Sequence, residues 1–211
     1  METSKTDKGG SLKEGKLGVY FSSDFHLGHV NILKYDKRPF KTITEMDETI
    51  IKNVVGRLKK GDDLYYLGDF SLTKSHGEME GYMLALALTG ANLFFIKGNH
   101  DKRDIIKLYQ KYGIYLGEQK TIQVLDGDAR DGIQNIVLNH YAMRVWDRSH
   151  HGTWHLYGHS HHTLPELSDS LSFDVGINGW NYELLSYQQV KEKMSKKTYK
   201  PIDHHGKTER I

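Results

Sequence analysis

The sequence predicts an α/β sandwich of two mixed β-sheets, since five short apolar or aromatic runs have the length of buried strands. Helical patterns separate the first three runs, as is typical of parallel strands joined by crossover helices. Turn signals at residues 124–128 and 130–132 indicate antiparallel strands further along. A parallel first half and an antiparallel second half together favour two sheets. The five runs are Leu17–Phe21, Leu64–Leu67, Leu93–Ile96, Ile136–Leu138 and Trp154–Tyr157.

The longest predicted helix comes after the first strand run and a short helical stretch at residues 30–35. Thr44 and Asp47 form a start that is similar to a capping box, and Gly61 predicts the end of the helix. One apolar stripe runs along this helix and is expected to face the core. Its members are Ile50, Ile51, Val54, Val55 and Leu58.

Three further helices and one further strand complete the predicted elements. Helices are expected at residues 78–88 and 104–112, and a last helix is expected to be capped by Ser186 and Gln189. A strand at residues 171–175 precedes that last helix. The inward positions predicted for the helix at 78–88 are Met79, Met83, Leu86 and Leu88.

The composition predicts one soluble domain. Residues 1–15 are polar and are expected to be disordered, residues 16–195 to form the domain, and residues 196–211 to form a basic flexible tail. The chain has no cysteine, so the available metal ligands are His, Asp and Asn side chains. There is neither a membrane-length apolar run nor the apolar core of a signal peptide, which predicts a cytoplasmic protein without membrane association.

The formal charge of +2 is unevenly distributed along the chain. Residues 191–210 contain seven Lys and Arg against three Asp and Glu, which leaves 22 against 24 in the rest. The body of the protein is therefore close to a charge of −2, and no basic nucleic-acid footprint is visible in it. This argues against a nuclease, although a positive groove assembled in three dimensions leaves nucleic acid open as a partner.

Metal-binding side chains follow each of the five strand runs. Ligands of open α/β sheets bind in the crevice outside the carboxyl ends of the strands, so these five segments are expected to converge. Glycines 68, 98 and 158 are expected to permit tight turns from strand to loop. Each block alone is a weak signal, whereas their combination in order is specific. The blocks are Asp24-Phe25-His26, Gly68-Asp69, Gly98-Asn99-His100-Asp101, Asn139-His140 and Gly158-His159-Ser160-His161.

The order D-x-H, G-D, G-N-H-D, H, G-H-x-H resembles that of the calcineurin-like metallophosphoesterase superfamily, from about Val19 to about Tyr187. Within it, the chain is similar to compact bacterial and phage members known only as predicted phosphoesterases. The resemblance implies a four-layer α/β/β/α sandwich with two mixed β-sheets. The segments that carry the subgroup resemblance are Phe25–Ile32, Lys37–Phe40, Tyr66–Ser71, Trp154–His161 and Gly179–Tyr182.

The same resemblance implies a centre of two divalent metal ions. One ion takes Asp24, His26 and His161, and Asp69 bridges to the second ion. The ligands of the second ion are Asn99, His140 and His159. Manganese is the first expectation by resemblance, and the ligand types also suit iron, zinc or nickel.

Four further residues are expected to act on the substrate or around it. By resemblance, His100 stabilises developing charge or protonates the leaving group, and Asp101 is the carboxylate that orients it. His29 and Arg38 either meet the substrate phosphate or form a surface pair. Many relatives carry another acidic residue and an arginine shortly after the G-D block, whereas this chain has residues 70–73, Phe-Ser-Leu-Thr. This departure concerns substrate contacts, because no metal ligand is missing.

The function implied is that of a metal-dependent phosphoric ester hydrolase, a phosphodiesterase or phosphatase. It would cleave phosphate mono- or diesters by in-line attack of a metal-bound hydroxide. The substrate is expected to be a small phosphate ester, with a nucleotide as one case, and the oligomeric state is left open. Trp146, Trp154, Trp180 and Tyr182 are candidates for an aromatic wall against a nucleobase, with core packing as the alternative for Trp154.

Two alternatives come from other functional classes. A nuclease of the same superfamily would share every metal ligand and differ by a groove for DNA or RNA. A non-catalytic metal-binding scaffold is expected to have lost ligands, whereas all seven ligands and His100 are present.

Overall fold

The computed structural model describes residues 17–203 and contains two β-sheets whose facing sides share one hydrophobic core. The strands are β1 (Val19–Ser22), β2 (Asp63–Tyr66), β3 (Asn92–Ile96), β4 (Ile114–Gly117), β5 (Gln119–Leu125), β6 (Ile133–Asn139), β7 (Trp154–Tyr157), β8 (Ser172–Asp174) and β9 (Leu185–Ser186). The helices are α1 (Ile32–Tyr35), α2 (Ile43–Arg57), α3 (His76–Ala87), α4 (Arg103–Tyr112) and α5 (Tyr187–Ser195). The predicted α/β architecture with two mixed sheets is confirmed.

The first sheet has the strand order β4-β3-β2-β1-β9. Strands β1 to β4 are parallel, and β9 pairs antiparallel with β1. Helices connect the parallel strands, which brings the carboxyl ends of β1, β2 and β3 to one edge of the sheet. Strand β9 has only two residues, too few for a periodic pattern, and was not predicted.

The second sheet has the order β5-β6-β7-β8, and its predicted antiparallel character is correct for one pair only. Strands β5 and β6 form a hairpin, whereas β6 pairs parallel with β7 and β7 pairs parallel with β8. The two turn signals lie in the single connection of that hairpin. Long irregular segments, 140–153 and 158–171, make the two parallel crossovers. These segments contain no helix-period pattern, so the sequence did not reveal the parallel pairing.

The outer face of the second sheet is covered by irregular chain, which corrects the expected helical fourth layer. His155 points outward from β7, where its ring contacts Trp146 and its Nε2 accepts a hydrogen bond from the Met143 amide at 3.1 Å. Helix α5 instead packs against β9 and β1, and its Val190 and Met194 join the core between the sheets. The described part of the chain therefore has three regular layers and one irregular layer.

Two helix predictions need correction. Helix α2 is capped two residues earlier than expected, because the Thr42 hydroxyl, and not that of Thr44, accepts the capping hydrogen bond, from the Glu45 amide. Asp47 is buried inside the helix and accepts hydrogen bonds from the Gly28 amide and the Tyr82 hydroxyl. Leu88 was expected to face the core, but it lies at the end of α3 and is 77% exposed.

The structure describes part of the predicted tail at the end of the chain but not the predicted disordered segment at its beginning. Residues 1–16, with the predicted disordered segment, and residues 204–211 lie outside the described residues. The described beginning of the predicted basic tail is bonded to the loop at 166–169: the Lys197 ammonium lies 2.8 Å from a Glu166 carboxylate oxygen, and the Thr198 amide donates to the Ser168 carbonyl. Within residues 17–203, no helix has both the length and the apolar character needed to cross a membrane.

Candidate metal centre

All seven predicted metal ligands lie together where strands of the two sheets end. Asp24 and His26 follow β1, Asp69 follows β2 and Asn99 follows β3. The remaining three come from the second sheet. His140 follows β6, and His159 and His161 follow β7. The convergence inferred from the strand ends is therefore confirmed.

The first group consists of Asp24, His26 and His161, which offer one ligand atom each within 4.8 Å of one another. The two imidazole Nε2 atoms are 3.1 Å apart. An oxygen of the Asp24 carboxylate lies 3.5 Å from the Nε2 of His161 and 3.8 Å from that of His26. Three side chains of metal-binding type thus surround one point, as expected for the first ion.

The second group joins Asp69 and His140 to Asp24, again with ligand atoms within 4.8 Å. The Asn99 side-chain oxygen extends this group, since it lies 2.9 Å from His140 Nε2 and 2.8 Å from His159 Nδ1. These are the side chains expected around the second ion.

Asp69 lies between the two groups. Its Oδ2 is 3.6 Å from His26 Nε2 on one side and 3.4 Å from His140 Nε2 on the other. Its Oδ1 accepts a hydrogen bond from the His100 amide at 2.8 Å, which fixes the carboxylate in this position. Asp69 therefore has the placement that a bridging carboxylate requires.

Five of the seven candidate ligands have left-handed backbone conformations. Non-glycine residues rarely have positive φ, and each such residue costs about 1–3 kcal/mol when the surrounding structure holds it there. Residues of this kind cluster at functional sites, where the strain aims a side chain. The five are Asp24 (φ 60°), His26 (54°), Asp69 (60°), His159 (66°) and His161 (47°).

Three glycines allow the ligand loops to approach one another. A Cβ atom on Gly68, whose φ is +97°, would meet the backbone of Gly98. A Cβ on Gly98 would meet the Asp69 carboxylate, and one on Gly158 would meet the Asp24 carboxylate. The tight turn predicted from these glycines applies to Gly68, and for all three the larger requirement is close contact between neighbouring loops.

The donor set fits a metal cation. The Nδ1 of His140 lies 2.8 Å from the Leu67 carbonyl, which can only accept, so this nitrogen carries the proton. The Nε2 of neutral His140 then turns a lone pair toward the Asp69 carboxylate and the Asn99 side-chain oxygen. Acceptors that face one another in this way need a positive charge among them, which a proton or a metal ion supplies.

The pKa values of the candidate ligands also indicate a site for a cation. Burial opposes charge on the Asp24 carboxyl, yet His161, His140 and His26 together lower its pKa below the usual range. Burial also works against charged imidazoles, but the carboxylates raise the pKa of His161 to about 10 and that of His140 to about 9. Burial lowers the pKa of His26 to about 3. Without a metal, the centre therefore holds protons at the positions where a cation would bind.

Asp36 is a functional candidate that the sequence reasoning missed. Its Oδ2 accepts a hydrogen bond from His161 Nδ1 at 2.5 Å, so it fixes the ring and turns Nε2 toward the centre. The same oxygen accepts from Arg38 Nε at 3.1 Å. The contact between Asp36 and His161 spans 125 residues of chain, and its only signal in the sequence is the place of Asp36 between the first ligand block and an arginine.

The expectation that Arg38 meets the substrate is wrong. Its guanidinium is fully buried, with Nη1 donating to the Phe25 carbonyl at 2.8 Å and Nη2 donating to the Asp24 carbonyl at 2.9 Å. Together with the bond to Asp36, these contacts use the guanidinium to brace the loop that holds the first two ligands. Because Arg38 is buried, it does not form a surface pair with His29 either.

The expected role of Asp101 also needs correction. Its buried carboxylate accepts from the backbone amides of Gly98, Asp69 and Phe70 and from the Tyr109 hydroxyl, at 2.8–3.1 Å. These four bonds join the loops after β2 and β3, and none of them comes from the His100 ring. Asp101 thus positions the backbone of Asp69 and does not orient His100.

His100 and His29 lie beside the first group. The His100 side chain is exposed, and its ring centroid is 5.5 Å from that of His26. The ring centroid of His29 is also 5.5 Å from that of His26. The buried Nδ1 of His29 has no hydrogen-bond partner among the described residues. Burial and then the nearby His100 lower the pKa of His29. Both imidazoles are therefore placed to meet a molecule bound at the centre.

The four residues proposed for an aromatic wall are dispersed. Trp154 stacks on Tyr187 in the core, and Trp180 contacts Phe173. Tyr182 packs in the core around the helices, and Trp146 lies on the outer face of the second sheet. No common wall forms from them.

Comparisons with known proteins show the fold and leave the activity open. No protein-family model matches the chain. Over 84 residues it is 43% identical to an uncharacterized protein of Methanocaldococcus jannaschii, a match that covers 40% of this chain and 47% of that relative, which is about half its length. The crystal structure of a protein of unknown function from Aquifex aeolicus is similar with a TM-score of 0.62 at 20% identity, covering 84% of this chain and 99% of that one. The chain and the Aquifex protein share a fold.

Proposed function

We propose that the chain is a dinuclear metal-dependent phosphoesterase with a metallophosphoesterase-like fold. The observation that carries the proposal is the convergence of seven ligand-type side chains from five strand ends, with Asp69 between two groups. The left-handed backbone at five of these residues supports a functional site over a structural cluster, because a merely structural cluster gains nothing from strain.

The residues divide between two ions. Asp24, His26 and His161 would hold one ion. Asn99, His140 and His159 would hold the other, and both would share Asp69. Bound ions of this kind supply a nucleophilic water at neutral pH and neutralise charge on the phosphoryl oxygens.

The chain itself supplies orientation and a proton. In hydrolysis, an oxygen of water bonds to phosphorus, the bond from phosphorus to the leaving oxygen breaks, and that oxygen takes a proton. His100 is exposed beside the first group, with its backbone fixed by Asp69, and acts on the leaving oxygen or stabilises charge on the phosphoryl group. His29, whose ring lies 5.5 Å from that of His26, would meet the substrate on the same side.

The substrate is a small phosphate ester. A groove of about 460 Å³ lies over His159 and His161, bordered further by Asp36, Ser160, Thr163, Leu164 and Pro165. This lining contains neither Lys nor Arg, whereas proteins that hold polynucleotides track the phosphate backbone with basic side chains. The groove thus supports a small ester, such as a nucleotide, over DNA or RNA.

A hydrolysis screen tests the proposal. The protein is freed of metal with a chelator, reloaded with Mn, Fe, Zn or Ni, and assayed on p-nitrophenyl phosphate, bis-p-nitrophenyl phosphate, cyclic nucleotides and short oligonucleotides. We expect turnover of small esters in the loaded protein and none in excess chelator. Full activity in chelator would remove the metals from the function, and turnover of oligonucleotides alone would support the nuclease.

A further inference from the structure

A second cavity lies beside the candidate metal centre and contains none of its ligands. It has a volume of about 470 Å³ and opens on the outer face of the second sheet. Residues 142–146 form one wall and continue directly from the ligand His140 and Tyr141. Residues 164–170 form another, and 199–202 close the third side. Two of the three walls are therefore extensions of the loops that carry metal ligands.

The cavity and the groove over the centre share a border. Leu164 and Pro165 line both, three and four residues beyond the ligand His161. A molecule whose phosphate lies at the centre can thus extend over these two residues into the cavity. The two spaces therefore adjoin at Leu164 and Pro165.

The cavity lining is mainly apolar and exposed. Four apolar residues of the lining are exposed and do not belong to the core. They are Val145 (47%), Leu164 (46%), Leu167 (60%) and Ile202 (54%). Trp146 lies behind them, 8% exposed, with its indole nitrogen donating to the Thr153 carbonyl at 2.8 Å. Grouped apolar side chains that remain in water mark binding surfaces more often than single ones do.

We propose that this cavity binds an aromatic ester group of a phosphodiester substrate, with the phosphate at the candidate metal centre. The inference rests on the proposed function and adds a substrate class to it. Three aromatic side chains, Trp146, Tyr157 and Tyr199, line the cavity together with the exposed aliphatic ones, and such a lining suits an aromatic ring. The charged side chains at the cavity are Arg144, Lys200 and Asp169, and the rest of its lining is apolar or neutral.

The test compares two diesters with the same leaving group, bis-p-nitrophenyl phosphate and methyl p-nitrophenyl phosphate. Only the first has a second aromatic ring. In the doubly substituted Leu167→Asn, Ile202→Asn protein, the ratio of kcat/KM for the bis-aryl over the methyl ester should fall roughly tenfold, the equivalent of losing about 1.4 kcal/mol of apolar contact. The matched control is Leu88→Asn, Leu125→Asn, whose targets are 77% and 79% exposed and lie outside the cavity.

A binding measurement separates the cavity from the chemistry. Quenching of tryptophan fluorescence by bis-p-nitrophenyl phosphate is titrated in chelator, where no turnover occurs, and the dissociation constant should rise roughly tenfold in the cavity variant alone. If the wild type hydrolyses neither ester but this difference in binding remains, the cavity stands and the proposed function fails. An unchanged ratio and unchanged binding in the cavity variant would overturn the cavity.

Light scattering tests whether a second copy of this chain covers the cavity. The cavity variant and the wild type should have the same mass in solution. A wild-type dimer that becomes a monomer on Leu167→Asn, Ile202→Asn would identify this face as a subunit interface and overturn the inference.

Discussion

The candidate metal centre has two sides, which differ in how far they are buried. The first side consists of Asp24, His26 and His161, and the second of Asn99, His140 and His159. On the first side, Asp24 is fully buried and His26 is 2% exposed. On the second side, His140 is 1% exposed, but Asn99 and His159 are both exposed. The first side is therefore the more deeply buried, although His161 is 14% exposed, and the second opens further toward solvent.

The two sides also differ in what holds their ligands in place. The His161 ring on the first side is fixed by Asp36, which a buried arginine holds in turn. The Nδ1 of the His140 ring on the second side is fixed by the Leu67 carbonyl, and His159 meets the Asn99 side chain, which is itself a candidate ligand. Rigid support reduces the ordering cost of binding an ion. We therefore expect the first side to bind its metal more tightly than the second, which is left open for the substrate.

Asp69→Asn should have the largest effect, because it removes the negative charge that lies between the imidazoles of the two sides. Both metal occupancies should fall, and turnover should drop by several orders of magnitude. The asparagine side-chain oxygen can still accept from the His100 amide, so the variant should fold, although the metal-free protein loses the pairing of this carboxylate with His140.

The comparison variant for Asp69 is Asp101→Asn. Its carboxylate serves four donors within the fold, so this change should lower the melting temperature of the metal-free protein. An Asp69→Asn protein with two metals and normal turnover would show that Asp69 does not bridge.

His100→Ala should lower turnover without disturbing either side. It leaves the amide that donates to Asp69, so both ions should remain by metal analysis. The loss in kcat should be roughly 10²–10⁴-fold if His100 is a general acid, and it should shrink for acidic leaving groups such as nitrophenolate. Equal loss on nitrophenyl and alkyl phosphodiesters would instead assign charge stabilisation to His100. No loss on either would remove it from the mechanism.

Asp36→Asn tests the difference between the two sides directly. It weakens the support of His161 and of Arg38, which both hold ligands of the first side, so affinity for one ion should fall about 10–100-fold while affinity for the other is kept. Asp104→Asn is the matched control, since this carboxylate is exposed on α4 and pairs with Lys107. Calorimetric titration with Mn resolves the two steps. Equal weakening of both steps would contradict the asymmetry.

The metal-free protein should lose stability as the pH rises. His140 and His161 have folded-state pKa values of about 9 and about 10, above the ordinary 6.5, so their contribution is present below pH 6.5 and is lost as the pH passes through 9 and 10. The expected loss is on the order of a few kcal/mol. Melting temperatures from pH 6.5 to 10 check this, and bound metal should flatten the profile. A metal-free protein of constant stability over this range would exclude charged imidazoles from the centre.

The sequence predicted which candidate ligands converge, because each of them depends on local pattern. A strand of four or five apolar residues followed by Asp, His or Asn places that side chain at a sheet edge, whatever the rest of the chain does. The residues that hold the ligands depend on long-range contacts, which a single sequence does not reveal. Asp36 and Asp101 are carboxylates of ordinary appearance, and their partners lie up to 125 residues away.

The fold, like the candidate site, was predictable where it depends on local sequence pattern. The helices beside the first sheet have apolar stripes or caps that were recognised, including the Ser186 and Gln189 capping box of α5. The parallel pairing of β7 and β8 depends on an irregular crossover without periodicity. The Arg38 error has the same origin: a charged residue is expected at the surface or on a substrate, and only the surrounding carbonyls make its burial favourable.

Activity measured against metal content tests the central claim most directly. Chelator-treated protein receives Mn in steps from zero to three equivalents, and bound metal and hydrolysis of bis-p-nitrophenyl phosphate are measured at each step. A dinuclear phosphoesterase predicts two bound equivalents, little turnover after the first, and full turnover after the second. Full turnover in excess chelator, or two bound ions without hydrolysis of any phosphate ester, would contradict the account.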